Sequence, residues 1–483
     1  MRVEIPIANG FYISESLPIS HQQCVNFIPV TQNQPSLSQS QLFGSPGIEY
    51  ITTSGETSAD ANRGAHVMAG LAYFVNGEAL YLLQRTIVGG AENFEMIYLG
   101  VIDGTSRVSM ADNGSQLMIL VPGGPGYIYD LNAGPALVEI TAPGFTANGN
   151  PQYVVFVDGY FACNTDSKKW IVSNLNNGTA WDPLDFGSAE ADPDPIVAPI
   201  VHNNQIYLLG SETTEGFQNI GGSGFPFQRS NVFLDKGCYS PFTLISTNQQ
   251  FFFVGGGTNE RAAIWSFAGG SYTKISTIVI DSILAGYTDA VLNAAFAMSW
   301  ANRGQFLVSF TFQDRCFVYN MTTQKWHEQS SGIADEYGDL QQERWRVNSI
   351  ITAYGYTLVG DSQDGRVGKL STSNYQEYGT DIIRVFSTQP LANKGMPFRL
   401  PKIELTLEAG IGNGVSDPIV SMAISEDGKT FAYERNRKIG AIGKYGQRAI
   451  WRKNGRVPRY AVLLFRISDP IKPVIIKLEA DIV

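Results

Sequence analysis

The stretch YVVFVDGYFACNTD, Tyr153–Asp166, decides how the rest of the chain is read. An apolar run, Val154–Val157, meets Asp158-Gly159, and a second apolar and aromatic run follows. A two-residue type I′ turn needs φ > 0 at both central residues, and Asp-Gly supplies this at low steric penalty. The stretch therefore predicts an antiparallel hairpin. The same grammar recurs in LAYFVNGEALYLL (Leu71–Leu83, with Asn76-Gly77 as its turn pair), QLMILVPGGPGYIYDLN (Gln116–Asn132) and PIVHNNQIYLLGS (Pro199–Ser211). It returns in FFFVGGGTNERAAIWSF (Phe251–Phe267), QFLVSFTFQDRCFVYNMTTQKW (Gln305–Trp326) and ITAYGYTLVGDSQDGRVGKL (Ile351–Leu370). These units recur roughly every 35 to 55 residues, and a strand-filled period near 40 to 50 is the mark of propeller blades. The expectation is an all-β chain with a β-propeller of about six or seven degenerate blades, since no WD or kelch pattern repeats. A stacked pair of β-sandwiches is the competing architecture.

Three segments depart from that theme. Residues 1–56 are turn-rich, and PVTQNQPSLSQSQLFGSPG (Pro29–Gly47) has little to bury by itself, so an extended N-terminal arm packing on the body is expected. The propeller then occupies 57–399. Within it, near 275–300, Ile280, Ile283, Leu284, Val291, Leu292, Ala295 and Phe296 follow helical spacing. Two short inserted helices are expected there, with Asp281 and Thr288 as caps. From 400 to 483, alternating segments such as KIELTLEAGIG (Lys402–Gly412) and RYAVLLFRIS (Arg459–Ser468) predict a C-terminal antiparallel β-sandwich.

Composition narrows the class. Charged residues are 16% of the 483, against about a quarter in ordinary domains, and aromatics are 12%. That suits many short strands, and surface shared with other subunits. Cys24, Cys163, Cys238 and Cys316 lie far apart with no C-x-x-C pair, which signals reduced thiols rather than a disulfide framework or a zinc site. The opening MRVEIPIANG lacks a signal-peptide pattern, and no apolar run approaches the roughly eighteen residues of a membrane span. A soluble chain made in the cytoplasm is expected.

Catalytic patterns are scarce. The four histidines, His21, His66, His202 and His327, show no metal spacing, and no G-x-S-x-G elbow occurs. EDGKT (Glu426–Thr430) ends like a P-loop, but Ala423 stands where its first glycine belongs. SEDGKTF (Ser425–Phe431) is close to the Asp-box turn of sialidase propellers, a structural turn in which Asp427 and Thr430 tie the backbone. The acidic runs SAEADPDP (Ser188–Pro195) and ADEYGDL (Ala334–Leu340) read as solvated loops. No catalytic residue, cofactor or metal ligand is assigned. A sialidase-like, glycan-binding or glycan-degrading propeller is the alternative to a non-enzymatic role.

Charge is unevenly placed. Residues 400–483 hold 14 Lys+Arg and 9 Asp+Glu, a net of +5, so with a formal total of −10 the remainder carries −15. The densest basic stretch is GQRAIWRKNGRVPR (Gly446–Arg459), with Arg448, Arg452, Lys453, Arg456 and Arg459 and no acid. Asn454-Gly455 predicts a hairpin turn, and Pro458 places the following strand at an edge or at its own start. These five cations are the candidate partner-docking residues. A solvated edge and contact with a DNA backbone are the other readings.

Four stretches, in order, resemble the packaged-DNA-stabilisation proteins, the tail nozzles or tail accessory factors of short-tailed bacteriophages. They are QQCVNFIPV with LFGSPGIEY, SRVSMADNGSQLMIL (Ser106–Leu120), ISTIVIDSILAGYTDAVLNAAFA, and the C-terminal ISEDGKTF with RKIGAIGKYGQRAIWRKNGRVPRYAVLLFRISDP, including Trp451, Gly455 and Arg456. The resemblance implies a β-propeller body and a homo-hexamer ringed below the portal and its adaptor. It implies a channel for the leaving double-stranded DNA, sealed by a tail needle or plug protein, with tailspikes or fibres nearby. It implies no enzymatic activity.

Overall fold

The computed structural model describes residues 2–16, 19–32, 36–134, 136–189, 194–222, 224–334, 340–412, 414 and 417–483. The chain divides into two compact units: Tyr50–Trp300 with Arg346–Lys369, and Met1–Glu49 with Ala301–Trp345 and Leu370–Val483.

The first unit is built of radial sheets. Four of them have four strands each in simple up-and-down order. They run through Asn62–Met68, Leu71–Asn76, Ala79–Val88 and Ala91–Val101; then Ser109–Asp112 to Ala136–Glu139; Pro151–Val157 to Asn177–Ser188; and Ile196–His202 to Phe227–Leu234. A fifth is built on Phe251–Gly256, Ala263–Ala268 and Ser271–Lys274. Strands Val347–Ala353, Tyr356–Asp361 and Arg366–Ser371 take a fourth partner from the start of the chain, Gly47–Thr53. There Ser54 N donates to Gly365 O at 3.0 Å and Gly365 N to Gly55 O at 3.0 Å. The first strand of each sheet lies against the first strand of the next: 347–353 on 62–68, then 109–112, 151–157 and 196–202 in turn.

This packing explains the continuous apolar runs. Successive side chains of a strand point to opposite faces, so a strand between two neighbouring sheets must be apolar on both. In Gln116–Leu120, Leu117 and Ile119 join the cluster of Tyr73, Leu80 and Tyr129, whereas Met118 and Leu120 join that of Phe161, Cys163 and Trp181. Each blade thus covers its faces with its neighbours, which is why the repeat is needed for stability.

The turns show where local grammar held. Val157 pairs with Tyr160, and Asp158 (φ 49°) and Gly159 (φ 89°) between them have the I′ form. The Asn76-Gly77 expectation is corrected by one residue: Asn76 pairs with Ala79, which leaves Gly77-Glu78 as the loop. Asn76 stays in the strand because its buried amide is bonded on both sides, accepting from Asn62 Nδ2 at 2.8 Å and donating to Ser54 Oγ at 2.8 Å. The two helices are Ile278–Ala285 and Asp289–Asn293. Thr288 is the N-cap residue of the second, but Thr277 caps the first, accepting from Ile280 N at 3.3 Å. Asp281 lies in the first turn instead and accepts from Lys274 Nζ at 2.8 Å.

The second unit contains the β-sandwich. One sheet has the order Ala449–Arg452, Lys402–Leu407, Val474–Asp481, Ser40–Gly44, Phe27–Thr31, with Arg2–Ile5 also paired to 474–481. The other includes Arg384–Ser387, Tyr460–Ile467, Ile419–Ser425 and Arg435–Lys438. Their inner faces share Phe27, Phe386, Ile403, Trp451, Phe465 and Leu478, and the rings of Phe386 and Phe465 stack at 4.9 Å. The N-terminal residues enter this fold as strands: 2–5, 27–31 and 40–44 complete the first sheet, and Cys24–Val25 pairs with Val385–Phe386 in the second.

Candidate docking surface

The basic stretch is positioned by one anchor, Trp451. Alternation along Ala449–Arg452 turns Ala449 and Trp451 inward and Arg452 outward. The indole is fully buried, and its Nε1 donates to Arg435 O at 2.6 Å. The hairpin expected at Asn454-Gly455 does not form. Ala449–Arg452 pairs with Lys402–Leu405, whereas Arg456–Val457 pairs with Phe398–Arg399. The positive φ values fall on Lys453 (58°) and Gly455 (87°), and the turn hangs on the chain beside it: Lys453 N donates to Pro401 O at 3.0 Å and Asn454 N to Leu400 O at 3.3 Å. The two strand ends are held by the 398–405 segment rather than by each other, so the turn need not close a ladder.

The five cations separate into two groups. Arg448 donates from Nε to Glu404 Oε1 at 2.6 Å. Glu404 is a hub that also receives Arg2 Nη2 at 3.0 Å and Lys402 Nζ at 2.8 Å. Burial pushes the Glu404 carboxyl up, but the hydrogen bonds from Lys402 and Arg448 outweigh it and hold the group below its ordinary value. Arg452, Lys453, Arg456 and Arg459 are exposed, and among the described residues no carboxylate pairs with them. Two further arginines, which the sequence reading did not single out, brace the edge. Arg437 Nε donates to Ile450 O at 2.6 Å, and Arg435 Nη1 reaches Arg452 O at 3.4 Å. The alternation in Arg435–Lys438 was the available signal, because an edge strand rich in cations is a common feature.

The Asp-box-like turn is structural. Asp427 Oδ1 accepts from Ser425 Oγ at 2.9 Å, Lys429 N at 2.7 Å and Thr430 N at 2.7 Å. The backbone bonds from Thr430 and Lys429 drive its pKa well below the ordinary range. Thr430 takes part through its N–H. A groove of about 770 Å³ runs between this turn and Lys453–Gly455, with Tyr433, 91% exposed, on its rim.

Two concavities lie within the first unit. One, bordered by the first strands of the blades, is only about 220 Å³. Arg107 lines it, its guanidinium 3.7 Å from the Phe296 ring centroid and its Nη2 bonded to Asn348 O at 2.8 Å. Tyr153 and Phe242 pack edge to face beside it at 5.7 Å. The other is a polar recess of about 590 Å³ lined by Asp166, Glu212 and Glu260. Asp194 stands next to it, accepting from Glu212 N at 2.9 Å, and Asp235 shares Lys236 with Glu260 at 3.0 and 3.1 Å. Among the described residues Lys236 is the only cation ion-paired to any of these five acids. Of the acidic runs expected to be solvated loops, residues 190–193 and 335–339 lie outside the described residues, whereas Asp194 is tied to Glu212 N and Thr213. Among the described residues no three His, Cys, Asp or Glu are grouped to hold a metal, and no helix is long and apolar enough to cross a membrane. All four cysteines are free and buried, and burial pushes the Cys316 thiol up to about 12.

Two family models match the chain end to end. The one described as bacteriophage P22 Gp10, beta-propeller, matches residues 3–375, and the one described as bacteriophage P22 Gp10, beta-sandwich, matches 383–483. No curated protein matches. Among solved structures, the WD40 propeller domain of Doa1 is similar at 10% identity and a TM-score of 0.39, covering 67% of this chain and 97% of that one. The computationally designed Ika8 protein is similar at 13% identity and a TM-score of 0.36, covering 67% and 100%.

Proposed function

The chain belongs to the bacteriophage P22 Gp10 family and is a structural component of the phage virion tail; from that premise we propose that it forms the tail nozzle, a hexameric ring below the portal adaptor that retains packaged DNA and gives the genome its way out. The observation that carries this is the match of propeller and sandwich, in order, across nearly the whole chain. The narrow space among the first strands of the blades supports it: at about 220 Å³, and lined by Arg107, it is too small for a duplex, and in this reading the channel forms between copies. An acidic lumen would let phosphates slide rather than bind. The adaptor, a tail needle or plug, and tailspikes or fibres are its neighbours in this reading, and the chain is made in the host cytoplasm. The exposed Arg452, Lys453, Arg456 and Arg459 dock on acidic protein surface, since positive patches steer and register against negative ones.

Immunogold labelling of purified virions tests the assignment. Gold at the tail, near the head–tail junction or the nozzle tip, is the expected result. Gold on peripheral fibres, or none on particles whose epitope is accessible, overturns it.

A further inference from the structure

We infer that the cations around the 452–459 turn seat in the acidic recess of a second copy of this chain, so that copies join head to tail. This rests on the tail-ring reading above and names the partner of its basic surface.

Three observations converge. First, among the described residues no carboxylate pairs with the four cations; Glu426 lines the same groove as Lys453, but the other acids around them are committed elsewhere. Glu404 serves Arg2, Lys402 and Arg448; Asp417 pairs with Lys438 at 3.2 Å; Glu434 pairs with Arg466 at 3.3 Å; Asp427 is taken up by backbone N–H groups. Second, the recess has the opposite surplus. Among the described residues, Asp166, Asp194, Glu212, Asp235 and Glu260 have one paired cation, Lys236, between them. Asp166 and Glu212 satisfy their oxygens with Asn150 N at 2.8 Å and Thr258 Oγ1 at 2.7 Å, which leaves their charge unneutralised. Third, the shapes fit. The cations surround the protruding turn Lys453–Gly455, and Asp166, Glu212 and Glu260 line a concavity of about 590 Å³, with Asp194 and Asp235 beside it.

The two patches are different surfaces of one chain. Such a contact is heterologous: repeated, it generates a ring when the rotation closes, whereas a self-complementary patch stops at a dimer. Three of the four cations are arginine, whose planar fork suits paired carboxylates. A DNA backbone would also attract the four cations, but it would leave the recess facing no cation.

The test is a cysteine pair in assembled particles. All four native cysteines are buried, so Lys453→Cys and Thr258→Cys, both exposed positions, add the reactive thiols. Virions carrying both substitutions are treated with a short bis-maleimide and resolved on a denaturing gel. The expected result is a ladder of linked chains, absent with either substitution alone. Virions that contain the chain but give no ladder overturn the inference, as does a ladder from either single variant. A maleimide dye that reaches the K453C thiol only after the genome has left assigns the cations to DNA and overturns it too. A chain absent from purified virions overturns the tail reading itself, a separate and recognisable failure.

Discussion

His327 should set part of the acid limit of stability. Its side chain is fully buried, and neither ring nitrogen has a hydrogen-bond partner among the described residues. Burial holds the imidazole neutral and pushes its pKa from 6.5 down to about 3. As pH falls below 6.5 the unfolded chain takes up this proton and the folded chain does not. Stability is therefore complete above 6.5 and is lost progressively down to about pH 3, at about 1.4 kcal/mol per pH unit. At pH 4.5, two units below the unfolded value, the loss is on the order of 3 kcal/mol. His327→Phe removes the titrating group. Urea unfolding followed by tryptophan fluorescence at pH 7.5 and 4.5, on both proteins, isolates the effect, because every other titrating group contributes equally to both. The variant should lose about 3 kcal/mol less than the parent between the two pH values. Equal losses would falsify the argument that a buried neutral imidazole opposes folding in acid.

The neighbouring Glu328 titrates the other way: burial pushes its carboxyl from 4.5 up to about 7 despite Arg315 at 3.4 Å, so its contribution is present below pH 4.5 and lost as pH rises through 7. Glu328→Gln should abolish up to about 3 kcal/mol of destabilisation between pH 5 and 8, read from the same unfolding curves. Trp451→Ala should destabilise by about 3 to 5 kcal/mol, because it empties a fully buried site and removes the bond to Arg435 O; a calorimetric Tm checks it. Glu404→Gln should cost about 1 kcal/mol in low salt, since it strips charge from the hub of Arg2, Lys402 and Arg448, and the difference should shrink in 1 M NaCl.

The fold was legible where burial is two-sided and turns are two residues long. QLMIL at 116–120 reads as a strand because both faces meet neighbouring blades, and Asp158-Gly159 reads as its own turn. The strand Gly47–Thr53 was not legible, because its partner Arg366–Ser371 lies far away in sequence and no local period records it. The same holds for Arg2–Ile5, whose place is fixed by Leu478–Asp481. The candidate docking residues were legible as a charge run, but their roles were not. Whether an arginine is paired depends on a carboxylate across the sheet: Glu404 lies near enough to take Arg448, and among the described residues no carboxylate pairs with Arg452.

A propeller spends its sheet faces on itself. Each blade's apolar side chains are shared with the next, and Arg107, Tyr153 and Phe242 line the narrow space among their first strands. Partners are then met at perimeters, loop ends and appended domains, where residues obey no period. Charge is the remaining signal at such places, since it acts over about a Debye length, roughly 8 Å at physiological salt, without needing a repeat. In this chain it is split: a net of +5 in residues 400–483 and −15 in the rest. Surfaces of opposite sign on one chain resist pairing like with like and favour the alternation of unlike surfaces that a head-to-tail ring requires.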